Sequence, residues 1–499
     1  MTRATPARPA RPLRPARPAV PPAGPSAPST GGNAEGGPVR LTGSLGTGSI
    51  VFMVVAAAAP LTVVGGSVPI GIGIGNGAAF PAAFALCAVV LLLFAVGFAA
   101  MARHVPEAGS FYSYVERGFG RGPGLGAALL ALVSYTAIQA SLYGYVGAAT
   151  RTLVTDHGGP DVAWWVWAAG FLAVTGVLGY RHIELSGRVL GVLLLAEIGI
   201  VVALDLAVVS RGGDGGMSTA LAEPDAFGAG SPGIGIMFAL AGFIGFEATA
   251  VFRDEARDPD RTVPRATYLS LVLIGVFYTV SSWAVVSAWG DEGVVEKART
   301  APEALTAQTA ERYLGGWADD TVQVLFVTSI FAALLAFHNV LARYMFALGG
   351  DRALPAACGR RHGRHRSPYV ASLVQSATAA VLLAACVAAD LDPVAEVFTW
   401  LGGVATLGVM VLMVLTCAAV ISFFRRDRVD TRLWHTLVAP LLGLVGLLVL
   451  LVPVVRNFPT LVGGSETRAT VIEIVLAASF VLGVALSRVR RTTPSPDPH

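Results

Sequence analysis

The chain has 499 residues, 54% of them hydrophobic and only 13% charged, with a formal net charge of +3. A soluble domain carries about 25% charged residues, so a soluble globular enzyme or binding module is excluded. So small a net charge also gives no footing for a nucleic-acid partner.

Residues 1–40 are rich in Pro, Arg and Ala and contain no apolar run. A signal peptide needs an apolar core, so this segment reads as a disordered cytoplasmic tail, basic enough to lie on anionic lipid. Twelve apolar stretches follow, at about 45–73, 79–101, 122–150, 162–180, 189–209, 231–252, 267–288, 320–342, 368–388, 394–423, 434–455 and 470–487. A bilayer crossing takes about 20 mostly apolar residues at helical rise, and lipid offers the backbone no hydrogen bonds. The fold class is therefore an all-α polytopic membrane protein with twelve transmembrane helices and a lipid-bilayer environment. With the N-terminus inside, only Arg151, Arg211, Lys297, Arg299, Arg312, Arg456 and Arg468 fall outside, out of 35 Lys and Arg. That asymmetry places both termini, including the tail at 489–499, in the cytoplasm of a cell bounded by this inner membrane.

The first and sixth stretches are abnormal. The first carries Pro60, Gly65, Gly66 and Pro69, and the sixth carries Gly233, Gly235, Gly242 and Gly245. Proline removes a helical hydrogen bond and glycine weakens the helix, so both stretches are expected to break near their middles. They lie five stretches apart, and a repeat with an odd number of crossings must invert. Broken helices at matching positions of inverted repeats point to a transporter's substrate site. Simple close packing of small residues is the alternative.

Glu197 and Glu247 stand inside the fifth and sixth stretches, where carboxylates are costly and usually functional. Glu247 links the site to the cytoplasmic half or makes a structural hydrogen bond. In the third stretch Tyr135, Gln139 and Tyr143 follow i, i+4, i+8 and share a face that lines either the cavity or a helix interface. Cys87, Cys358, Cys386 and Cys417 show no metal spacing and no disulfide framework, and no metal or cofactor is implied. The loop 289–319 holds Asp291, Glu292, Glu296 and Glu303 and has the composition of a surface helix. Asp254, Glu255, Asp258, Arg261 and Arg265 either latch the inner gate by charge pairing with the loop after the second or eighth stretch or form a solvated loop.

Three cytoplasmic signatures occur in order. The sixth stretch runs Ala241-Gly-Phe-Ile-Gly-Phe-Glu247 into Arg253-Asp-Glu-Ala-Arg-Asp-Pro-Asp-Arg-Thr-Val-Pro-Arg265. The second exits through Val105-Pro-Glu-Ala-Gly-Ser-Phe-Tyr to Gly120, and the eighth ends Asn339 to Pro355, followed by Ser367-Pro-Tyr. At these residues the chain resembles the amino acid–polyamine–organocation family of permeases, over about 45–423.

The resemblance implies a leucine-transporter-like fold. Its core would span 41–430, with inverted repeats at about 45–209 and 231–423, and two peripheral helices would follow at 431–488. It implies secondary active transport of amino acids or related amines by alternating access, and no enzyme activity. The unwound residues would be Ala58, Ala59, Pro60, Leu61 and Thr62 in the first break and Ala241, Gly242, Phe243, Ile244 and Gly245 in the second. Half-helix N-termini would hold a substrate carboxylate and half-helix C-termini its ammonium, with Tyr135 nearby. Some proton-coupled relatives place a lysine near Glu197, so a carboxylate there could carry the coupling H+. In sodium-coupled members of the wider fold, paired hydroxyls such as Thr328 and Ser329 coordinate Na+. Membrane carboxylates are the rarer feature, which favours protons. A sodium symporter or an exchanger of the same fold, a non-transporting sensor and a membrane-embedded transferase are the alternatives.

Overall fold

Lipid leaves an apolar backbone no partner but itself, and the apolar stretches are helical accordingly. The computed structural model describes residues 45–105, 110–181, 187–350, 353–360 and 368–489. The tails expected at 1–40 and beyond Val489 lie outside the described residues, as do parts of the second and third signatures.

The main helices are α1 (Thr47–Ala57), α2 (60–76), α3 (Phe80–Ala102), α4 (Ser110–Phe119), α5 (Arg121–Asp156), α6 (Trp164–Arg181), α7 (Gly187–Arg211), α8 (Pro232–Ala241) and α9 (Ala248–Val251). They continue with α10 (Pro259–Trp289), α11 (Asp291–Thr300), α12 (Leu305–Leu314), α13 (Gly316–Gly350), α14 (Tyr369–Ala388), α15 (Pro393–Asp427), α16 (Trp434–Leu461) and α17 (Glu466–Val489). Among the described residues, nine helical stretches are long and apolar enough to cross a membrane. The first of these, Thr47–Ala102, has 56 residues. At 1.5 Å per residue it would reach about 84 Å, against a hydrocarbon core of about 30 Å, so it cannot be one crossing. It is interrupted at Ala58–Ala59 and turns again at Gly75, which is non-helical, and Gly77, whose φ is +61°. The bundle's outer face is apolar: Val192, Leu195 and Leu206 on α7 and Val381 on α14 are each more than 60% exposed. Such a surface suits lipid and not water.

Proline explains the unusual first stretch. Pro60 opens α2 at its first position, where the missing N–H costs nothing. Pro69 then sits inside α2 and cannot donate to Gly65 in the α pattern or to Val64 in the π pattern, so both carbonyls need other donors. Tyr145 Oη donates to Gly65 O at 2.6 Å, and Thr306 Oγ1 donates to Val64 O at 3.1 Å. The same rule governs α10. Pro264 leaves Asp260 O without its helical donor, and Arg103 Nη2 supplies one at 3.0 Å. Arg103, in the loop after α3, thereby ties down the charged segment after α9, where Arg253 also pairs with Asp260 at 3.1 Å. At the same end Leu45 pairs with the segment following α9: its N–H reaches Glu255 O at 2.9 Å and its carbonyl accepts from Arg257 N at 3.0 Å. At the opposite end the 289–319 loop forms α11 and α12, and Arg299 Nε reaches Gly73 O at 2.7 Å.

Candidate substrate site

The two interruptions face one another. α1 ends at Ala57, and Ala59 takes a left-handed conformation with φ +45° and ψ +71°. A residue with a Cβ is strained there by roughly 1–2 kcal/mol. In the sixth stretch α8 ends at Ala241, turns run over 242–247, and α9 follows. Gly245 has φ +113°, which only glycine adopts without strain.

A cavity of about 60 Å³ lies between them, lined by Ala57, Ala58, Ala59, Thr62, Ala241 and Ile244 from the interrupted stretches. A water needs roughly 10–15 Å³, so the cavity has room for only a few water molecules. Ser67, Ser141, Phe238, Phe337, Phe398 and Gly402 are among its other walls. None of its lining residues is Lys, Arg, His, Asp or Glu. Tyr145 stacks on Phe398 at 4.3 Å and meets Phe326 edge-on at 5.2 Å between ring centroids. These rings form a roof at the end away from Leu45. Phe326 also lines a pocket of about 170 Å³ whose walls include Asp156, Glu303, Glu311 and Asp319. Burial pushes the Glu303 carboxyl above its ordinary range.

Two buried carboxylates stand behind the cavity wall. Glu197 Oε2, from α7, accepts from Leu61 N at 3.3 Å and from Ser329 Oγ at 2.9 Å, and Ser329 Oγ accepts from Thr62 Oγ1 at 2.9 Å. It therefore caps α2, where an anion is favoured. Glu247 Oε1 accepts from Tyr135 Oη at 2.6 Å, and its Oε2 accepts from Gly245 N at 2.8 Å. Glu247 thus binds α5 to the second interruption.

The remaining residues singled out from the sequence are placed as follows. Pro60 lies on a separate apolar groove with Val202, Asp205 and Phe277. Leu61 is fully buried and reaches the site through its N–H. A Cβ on Gly242 would meet Val63, which lines the cavity, and Phe84 and Tyr278, which do not. Phe243 packs against the rings of Phe84 and Tyr278. Thr328 Oγ1 donates to Leu325 O of its own helix, so it does not join Ser329. Gln375 Nε2 donates to Gln139 Oε1, which puts Gln139 in a contact with α14. The residues that sequence reasoning passed over follow from periodicity in part: Ala333 and Phe337 continue the face of Ser329 at i+4 and i+8, and Phe238 lies three before Ala241. Nothing in the sequence marks Phe398 or Gly402.

The four cysteines are free thiols, and among the described residues no group of His, Cys, Asp and Glu could hold a metal. A sequence profile of the family described as amino acid permease matches residues 45–480. An uncharacterized transporter of Mycobacterium tuberculosis (strain ATCC 25618 / H37Rv) is 27% identical over 250 residues, 50% of this chain and 51% of the relative. The low-affinity putrescine importer PlaP of Escherichia coli (strain K12) is 22% identical over 316 residues, 60% and 66% of the two chains. The branched-chain amino acid permease BcaP of Bacillus subtilis (strain 168) is 26% identical over 211 residues, 40% and 41%. The matched part spans about half the length of the first of these relatives. A profile match over most of the chain, on an apolar helical bundle with two interrupted helices, settles the family: this multi-pass membrane protein belongs to the amino acid permease family.

Proposed function

We propose that the chain is a secondary active transporter that moves amino acids or related amines by alternating access and is driven by protons. Each of α1–α2, α3, α5, α6, α7, α8–α9, α10, α13, α14, α15, α16 and α17 crosses the bilayer once. This gives twelve crossings with both termini cytoplasmic, the first ten forming inverted five-helix repeats. The observation that carries the reading is the meeting of two interrupted helices at one small cavity. Relatives named for putrescine and for branched-chain amino acids bracket the substrate.

Glu197 supports protons over sodium. It reaches the first interruption directly, so its protonation state bears on the geometry of α2. The test is uptake by protein-containing liposomes under an imposed pH gradient or an imposed sodium gradient. Accumulation under the pH gradient alone is expected. Accumulation under sodium alone would overturn proton coupling, and none under either would remove the case for a secondary active transporter.

A further inference from the structure

We propose that the cavity selects amines that carry no carboxylate over α-amino acids, an inference that rests on the transporter reading above. It follows from which helix ends face the cavity and which are already filled.

An α-amino acid brings a carboxylate, which needs N–H donors or a cation when taken out of water. The two half-helices that start at the interruptions would be the source of donors, and at each start one of the chain's own carboxylates already takes a backbone N–H. In the first turn of α2, Pro60 has no N–H, Leu61 gives its N–H to Glu197 and Val63 gives its N–H to Ala59 O, which leaves only the N–H of Thr62 to offer. Glu197 is held by Ser329, itself bonded to Thr62, so a substrate carboxylate would have to displace a tied side chain. Protonation does not vacate the place, because a neutral carboxyl still accepts through its second oxygen. At the other interruption, Gly245 gives its N–H to Glu247, while Gly242, Phe243 and Ile244 bond carbonyls three residues back. No lining side chain is cationic.

The helix ends that do open on the cavity are of the opposite kind. α1 ends at Ala57 and α8 ends at Ala241, and both residues line it. A helix C-terminus is the negative end of its dipole, and its carbonyls can each accept a second hydrogen bond, as those of Ala239, Leu240 and Ala241 can beyond the one the following turn supplies. Two such ends converge here, with Glu197 and Glu247 behind the wall. The aromatic roof separates this space from a pocket bearing four carboxylates, none of which forms an ion pair among the described residues. Ammonium is thus favoured along the approach and in the cavity, and carboxylate in neither. The walls beyond the polar ends, among them Phe238, Phe337 and Phe398, suit an alkyl chain.

The experiment compares matched pairs in proteoliposomes, each α-amino acid against the amine left by its decarboxylation, such as L-leucine against 3-methylbutylamine and L-ornithine against 1,4-diaminobutane. Radiolabelled uptake and mutual competition are read for each member. The amine of at least one pair should enter saturably, with its amino acid weaker by on the order of 100-fold, the penalty for burying an unpaired charged group. Amino acids that enter as well as or better than their amines would overturn this inference and leave the transporter reading standing. Failure of every member of every pair to enter would overturn both.

Discussion

Gly402→Ala separates the cavity's role in function from its role in stability. Gly402 lies inside α15 with no positive φ, so alanine there gains about 1 kcal/mol of helix propensity. The added methyl would stand 3.9 Å from Phe238 Cε1 and 4.0 Å from Ser141 Oγ, ordinary contacts that force nothing to move. It would, however, occupy part of a cavity of only about 60 Å³. Overfilling a small site costs about 1–3 kcal/mol, which is roughly 5- to 100-fold in half-saturation. The variant should therefore melt at or above the wild-type temperature in detergent while its half-saturation for uptake rises. Wild-type kinetics in a folded Gly402→Ala protein would show that this cavity does not hold substrate. Gly242 is a poorer place for the same test, because a Cβ there would stand 2.9 Å from Val63 Cγ1 and 3.1 Å from Phe84 Cε1. A failure at Gly242 would report misfolding as readily as a filled site.

Tyr145→Phe keeps the ring stacked on Phe398 but strips Gly65 O of its donor, so thermal unfolding should show a loss of about 1–3 kcal/mol; an unchanged melting temperature would mean that another group satisfies that carbonyl. Thr306→Val should act the same way through Val64 O, and the double variant should depart measurably from the sum, because the two acceptors are consecutive residues of one turn; strict additivity would show that the carbonyls are uncoupled. Ala59→Gly removes a left-handed Cβ and should raise stability by roughly 1 kcal/mol; a destabilised protein would show that the conformation carries no such strain.

The bundle was legible in the sequence because lipid imposes a single rule on every apolar stretch. Pro60 and Gly245 marked the interruptions for the same reason that they form them, one lacking an N–H and the other tolerating a positive φ. The extent of each interruption was less legible. Pro60, Leu61 and Thr62 were expected to unwind, yet they form the first turn of α2, because proline is suited to a helix start and Ala59 absorbs the turn instead. Ala241 remains helical and the loosened backbone runs from Gly242 to Glu247. The partners of the freed carbonyls were not legible. Tyr145 lies 80 residues from Gly65, and Thr306 lies 242 residues from Val64. A lone hydroxyl in an apolar helix carries no sign of its acceptor, and only the packing of α5 and α12 against α2 supplies it. Glu197 was visible as a costly charge, but its place at the start of α2 depends on how α7 crosses α2, which no local pattern records.

Glu197→Gln offers the most direct measurement of the central claim. Glutamine retains a carbonyl oxygen for the Leu61 and Ser329 donors but cannot exchange a proton. Liposomes containing the variant would be assayed twice with the same radiolabelled substrate, once for counterflow without a gradient and once for accumulation under an imposed pH gradient. The expected result is that counterflow persists while gradient-driven accumulation is lost. Accumulation equal to wild type under the pH gradient would contradict a coupling role for Glu197.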